Sequence, residues 1–210
     1  MFRVDLHLHT VYSNDSTIKP RLLVDQLHAH PQIKGVAITD HNTLDGYFQV
    51  FKLAKDYEDL VILPGIEIST ERGDLIVLGV EEKPKSPATL DSAVDFAKTA
   101  DGTIIIPHPY RSLGLGDLAI AVKAHAVEVL NPTATSEENM MAQKLAKICG
   151  LPGVAGTDAH DAKDMWTVFT EVEASPNRES ILNAIRKGAV RAGAARSSRL
   201  AILEGGEVYS

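Results

Sequence analysis

The chain has a single cysteine, Cys149, so it can form no internal disulfide and carries no sign of an oxidising compartment. Cys149 closes an expected helix ahead of "GLPG", where it reads as a small buried side chain and not as a nucleophile. Long hydrophobic runs are missing too. The opening "MFRVDLHLHT" has no apolar segment of the secretory kind, and no later stretch approaches the roughly 18 apolar residues of a spanning helix. The expectation is a soluble, cytoplasmic protein with no membrane partner. Positive charge is also short: 21 Lys and Arg stand against 28 Asp and Glu, a formal net charge of -7. That argues against stable binding of duplex nucleic acid, which needs a basic stripe. It leaves a phosphorylated ligand open, because bound divalent cations reverse the sign of an acidic pocket.

What the chain does have is alternation. "FRVDL", "KGVAIT", "LVILPGIEI", "DLIVLGV", "GTIIIP", "AVEVL" and "GVAG" read as short strands, and helical periods such as "KPRLLVDQLHAH", "LDGYFQVFKLAKDY" and "SEENMMAQKLAKIC" separate most of them. Strands joined by helical crossovers give a mostly parallel sheet, and six or seven such units in 210 residues favour a closed α/β barrel in one domain, 1–210. Helix punctuation agrees. Gly102 in "TADG" and Gly150 in "KICG" stand where left-handed C-caps are expected, and Ser86 with Pro87 reads as an N-cap followed by the first helical position. "LGDLAIAVKAHA" is expected to be helical, and the tail "RLAILEGGEVYS" to add a strand or a hairpin turning at Gly205 and Gly206.

The chemistry lies at the strand ends. In "DLHLHT", His7 and His9 stand at i and i+2, and alternate residues of a strand face one side, so two imidazoles converge. That pair alone also suits a polar surface strand. The other strand ends add Asp15 in "YSNDS", Asp40 and His41 in "ITDHNT", Glu67 in "GIEIS", Asp74 in "RGDLIVLG", His108 in "IPHPYR", and Asp158 and His160 in "TDAH". In a β/α barrel the C-terminal strand ends form one face, where active sites sit. Taken singly, His41 and His160 could cap helices, His108 could order a loop, and Asp158 could bond backbone. Five of eight histidines gathered with carboxylates at strand ends form the ligand set of borderline divalent metals such as zinc, manganese or iron. His28 and His30, near the end of the first helix, read as surface residues, and His125 reads as structural.

The ordered set "DLHLHT", "ITDHNT", "GIEIS", "PHPY" and "GTDAH" resembles the PHP (polymerase and histidinol phosphatase) family of metal-dependent phosphoesterases over residues 1–195. The resemblance implies a distorted seven-stranded β/α barrel holding two or three divalent ions (Mn, Fe or Zn). Carried over residue by residue, it gives one ion to His7, His9, Glu67 and Asp158, a second to Glu67 and His108, and a third to Asp15, His41 and His160. One position departs. Where many relatives have a histidine for the second ion, this chain has Asp74, a harder oxygen donor that favours manganese, iron or magnesium over zinc.

The implied activity is hydrolysis of a small phosphomonoester, a nucleotide or a short oligonucleotide end included, by a water that the clustered cations activate. Arg111, after "HPY", and Arg196, in "AARSSR", are the candidates for gripping phosphate. For Arg196 a solvated surface charge is an equal reading. Asp40 is expected either to orient a metal-binding histidine or to bond backbone. Two other classes stay open: a non-catalytic, metal-stabilised binding module, and an amidohydrolase-like enzyme that cuts a C–N bond.

Overall fold

A computed structural model of the protein describes residues 1–85 and 89–195. The elements in chain order are β1 (Phe2–Leu8), α1 (Pro20–Ala29), β2 (Ile33–Ile38), α2 (Asp45–Leu53), β3 (Val61–Thr70), β4 (Gly73–Leu78), α3 (Leu90–Thr99), β5 (Thr103–Ile106), β6 (Ala126–Leu130), α4 (Ser136–Cys149), β7 (Gly153–Ala155), β8 (Val168–Val172), α5 (Arg178–Lys187) and β9 (Val190–Ala194). All nine strands join one sheet in the order β7-β6-β5-β4-β3-β2-β1-β8-β9. The segment after β7 returns to β1, where Asp158 N–H donates to His7 O at 2.7 Å and His9 N–H to Ala159 O at 3.2 Å. β1 to β7 thus wrap into a nearly closed barrel, and the expected α/β barrel is present.

Among the described residues its strand count is nine, not seven. The antiparallel pair β8 and β9 extends the sheet from the other edge of β1. "VRAGA" in β9 has too few β-branched residues to signal a strand by itself, and it takes its form from pairing with β8. The sheet is also less parallel than expected. β3 with β4, and β4 with β5, pair antiparallel, so β4 runs against its neighbours.

Local signals explain most helix ends. Thr135 caps α4 through a reciprocal pair in which its hydroxyl accepts Glu138 N–H at 3.2 Å and Glu138 Oε2 accepts Thr135 N–H at 2.7 Å. α4 then stops at Gly150 in the left-handed region, as expected. Gly102 does not play that part for α3. Asp101 takes the positive φ, +51°, while Gly102 is needed for close approach, since a Cβ there would lie 2.5 Å from Val77 Cγ1. α3 starts at Leu90 with Thr89 as its cap; Ser86 and Pro87 lie outside the described residues, as do Arg196 and the tail with Gly205 and Gly206. The expected helix at "LGDLAIAVKAHA" is a 3-10 turn over Gly116–Ala121, whose Leu118 and Ile120 are exposed and so supply no buried stripe to extend a helix. Cys149 is half-buried against the core rather than fully buried.

The side-chain alternation of β1 sets up the site. Val4, Leu6 and Leu8 enter apolar clusters, while Asp5 and His7, on the opposite face, are equally buried among polar partners. Asp5 accepts the N–H and hydroxyl of Thr157 and the N–H of His7, tying β1 to the segment that carries Asp158. Among the described residues no helix is long and apolar enough to cross a membrane.

Candidate metal centre

Most of the expected ligands reach one end of the barrel by a simple route. His7 and His9 come from the end of β1, His41 from just after β2, Glu67 from within β3, His108 from just after β5, and Asp158 and His160 from beyond β7. Asp74 arrives differently. It is the second residue of β4, and because β4 is antiparallel, its N-terminal end lies with the C-terminal end of β3; Asp74 is paired with Ser69.

Glu67 is the hub. Its Oε2 lies 3.3 Å from His7 Nε2, 3.0 Å from His9 Nε2 and 3.3 Å from His41 Nδ1, and its Oε1 lies 3.1 Å from His108 Nε2. Asp158 Oδ1 is 3.4 Å from both His7 Nε2 and His9 Nε2. The first expected set, His7, His9, Glu67 and Asp158, therefore converges. Donor atoms of Glu67, Asp74 and His108 lie within 4.8 Å of one another, as the second set requires. At the rim, Asp15 Oδ2 is 3.4 Å from His160 Nε2 and 3.7 Å from His41 Nε2, and His9 joins those two imidazoles.

Hydrogen bonds on the outer ring nitrogens assign the tautomers. His7 Nδ1 donates to Glu128 Oε1 at 3.1 Å, His9 Nδ1 to Ser13 Oγ at 3.0 Å, and His160 Nδ1 to Asp158 O at 2.8 Å. Each leaves an Nε2 lone pair facing inward. His7 Nε2 and His9 Nε2 are 3.0 Å apart, so when both imidazoles are neutral two lone pairs and two carboxylates meet with no donor among them. His41 Nδ1 and His108 Nδ1 are buried without a hydrogen-bond partner. Such a donor set fits a divalent cation bound by imidazole and carboxylate.

The electrostatics agree. Burial alone lowers the pKa of His7, but Asp158, Glu67 and Glu128 outweigh it and push the imidazole well above its ordinary value; His9 rises to about 9 by the same balance. Burial works against the charge on Glu67, yet His7, His108 and His9 hold it well below the usual carboxylate range, and His7 and His9 do the same for Asp158. Asp74 is raised to about 6, by burial and then by the neighbouring charge of Glu67. Positive charge is wanted at this point, and in the metal-free protein protons supply it.

A family profile described as "PHP domain" matches residues 5–103, and a second, "PHP-associated", matches residues 136–190. The uncharacterized protein MJ1587 of Methanocaldococcus jannaschii is 33% identical over 141 residues, spanning 61% of this chain and 81% of that protein. The chain belongs to the PHP family. Its fold is similar to that of a two-domain protein from Bacteroides vulgatus containing a predicted PHP-like metal-dependent phosphoesterase, with a TM-score of 0.79 at 16% identity over 93% of this chain and 65% of that one. It is also similar to an amidohydrolase from Chromobacterium violaceum with bound sulfate and no metal, with a TM-score of 0.64 at 18% identity over 77% and 89% of the two chains.

Around this PHP constellation stand residues that motif reading did not single out. Ser13 links His9 to Asp40: it accepts from His9 Nδ1 and donates to Asp40 Oδ1 at 2.8 Å. Asp40 thus acts on His9 through Ser13, and it also holds the N–H and hydroxyl of Thr10. Asp158 divides its oxygens: Oδ1 faces the imidazoles, while Oδ2 accepts from Arg111, from Thr133 at 3.2 Å and from Asn131 at 3.3 Å. His108, Asp158 and Asn42 all hold positive φ, +25°, +50° and +56°, a clustering of backbone strain typical of functional sites. The other histidines lie apart. His28 pairs with Asp59 at the surface, His30 Nδ1 accepts Ile33 N–H at 2.8 Å, and His125 Nδ1 accepts Ile104 N–H at 2.9 Å.

Proposed function

We propose that the chain is a metal-dependent phosphoesterase acting on a small phosphomonoester, a nucleotide or a short oligonucleotide end included. The observation that carries this reading is the convergence of His7 Nε2, His9 Nε2, Glu67 Oε2 and Asp158 Oδ1 on one point, where the neutral imidazoles offer no donor. One divalent ion falls to those four residues, a second to Glu67, Asp74 and His108, and a third to Asp15, His41 and His160. When bound, the ions supply a water of lowered pKa and offset charge on the phosphate and the leaving oxygen. The chain's own groups do the positioning. Arg111 bonds Asp158 and Thr133 from a side chain that is 28% exposed, so its remaining N–H groups can take phosphate oxygens. Arg196 is the second candidate for that grip. The reading includes a small cytoplasmic substrate, Mn, Fe or Zn as the metal, and no stable binding of duplex nucleic acid.

The test is elemental analysis of protein prepared without chelator, followed by a hydrolysis screen over phosphomonoesters, phosphodiesters and, given the likeness to an amidohydrolase, amides. Two or three ions per chain and release of inorganic phosphate are expected. Less than one transition metal per chain after supplementation overturns the reading, and cleavage of amides alone replaces it.

A further inference from the structure

β6 and the turn after it, "AVEVLNPT", supply none of the residues of the three expected sets, yet they touch members of two. Glu128 is 2% exposed and uses both oxygens inside the site. Its Oε1 accepts from His7 Nδ1 at 3.1 Å, and its Oε2 accepts the backbone N–H of His108 at 2.8 Å and Asn131 Nδ2 at 2.9 Å. The fit is close. A Cβ on Gly156 would lie 2.6 Å from Glu128 Oε1 and 2.9 Å from His7 N. We infer that Glu128 is a positioning residue that fixes the tautomer of His7 and the backbone at His108 with one carboxylate, and so couples two cation positions. The inference rests on reading the cluster as a metal centre.

The reasoning is proton placement. A neutral imidazole has one donor and one acceptor nitrogen. Facing an acceptor-only carboxylate, His7 Nδ1 keeps the proton, and Nε2 turns its lone pair to His9, Glu67 and Asp158. Glu128→Gln keeps the shape but offers one oxygen and one NH2. Two donors, His108 N–H and Asn131 Nδ2, face the Oε2 position, so the amide oxygen settles there and the NH2 meets His7 Nδ1. That nitrogen must then accept. The proton moves to Nε2, the atom 3.0 Å from His9 Nε2, and occupies the place a cation needs. Loss of such an outer partner typically costs about 10- to 100-fold in metal affinity.

The experiment is a zinc titration of the full chain against a competing chelator, for the parent, Glu128→Gln and Glu171→Gln. Glu171 is a control for loss of a buried carboxylate, paired with Arg3 and Arg191 away from the cluster. Glu128→Gln should bind zinc about 10- to 100-fold more weakly, and Glu171→Gln like the parent. In long-range proton–nitrogen spectra of the zinc-loaded proteins, the His7 Nδ1–H signature of the parent should be lost in Glu128→Gln. Parental zinc affinity with that signature retained overturns the inference and leaves the metal centre standing. A parent that takes up no zinc overturns both. If Glu128→Gln fails to fold by circular dichroism, Glu128→Asp decides. It keeps a carboxylate but shortens its reach, so it cannot hold His7 Nδ1 and the His108 N–H together; weakened zinc binding supports the inference and unchanged binding overturns it.

Discussion

With no cation bound, protons on His7 and His9 stand in for it, and this fixes how the stability of the metal-free protein varies with pH. Burial lowers the pKa of His9, but hydrogen bonds to Asp158 and Glu67 outweigh it and raise the group from 6.5 to about 9. A histidine whose pKa is higher folded than unfolded contributes stability that is fully present below pH 6.5 and lost as pH rises through 9. The difference, roughly 2.5 pH units on a group almost wholly buried, corresponds to about 3 kcal/mol from His9 alone. His7 is raised in the same sense. Asp5, raised by burial from 3.8 to about 7, loses its share in the range just below. Glu67 and Asp158 are shifted downward, so their contribution is present at neutral pH and disappears only in acid. At about 2–4 °C per kcal/mol for a chain of this size, the melting temperature in chelator should fall by about 6–12 °C between pH 6.5 and 9. Circular dichroism or the fluorescence of Trp166, the single tryptophan, follows the transition. Saturating zinc or manganese should oppose that fall, because coordination needs neutral imidazoles and metal uptake releases their protons. A melting temperature in chelator that stays level or rises over this range would refute the reasoning, since the carboxylates would not then be holding the protons.

Two further outcomes follow from the same geometry. Asp158→Asn should fold, since asparagine tolerates the φ of +50° and the N–H bond to His7 O survives, yet turnover should drop at least about 100-fold; near-parental turnover at saturating metal would show that Asp158 holds no cation. Asp74→His should shift the metal preference of turnover from manganese or iron towards zinc, and Asp74→Ala should lower the bound metal by one ion per chain; identical metal profiles and stoichiometries in all three proteins would place Asp74 outside the coordination sphere.

Much of this site was legible because metal binding constrains residue type and strand position together. His7 and His9 could be read from their period-2 spacing, and Glu67, His108, Asp158 and His160 from their places at strand ends, where the barrel gathers them. The supporting shell was not legible in the same way. Ser13, Glu128, Asn131 and Thr133 are ordinary residues of a turn and a strand, and only the contacts that the closed barrel creates distinguish them. β9 was hidden for the same reason, because pairing and not composition makes it a strand.

The reversed strand β4 could have been read further than it was. Only two residues, Glu71 and Arg72, separate β3 from β4, and a parallel connection needs a dozen or more. The hairpin is therefore forced by length alone, and it is the hairpin that sets Asp74 beside Glu67. A crossover helix would have delivered the start of β4 to the other end of the barrel. Placing two carboxylates side by side in a buried site is costly unless positive charge separates them. Asp74 shows this cost directly: burial and the charge of Glu67 raise it to about 6, so the second set is fully ionised at neutral pH only at some expense. His108, 3.1 Å from Glu67, offsets part of that charge when protonated. A divalent ion would offset more of it with no proton to lose, which makes the hairpin the feature of the fold that most favours a cation between Glu67, Asp74 and His108.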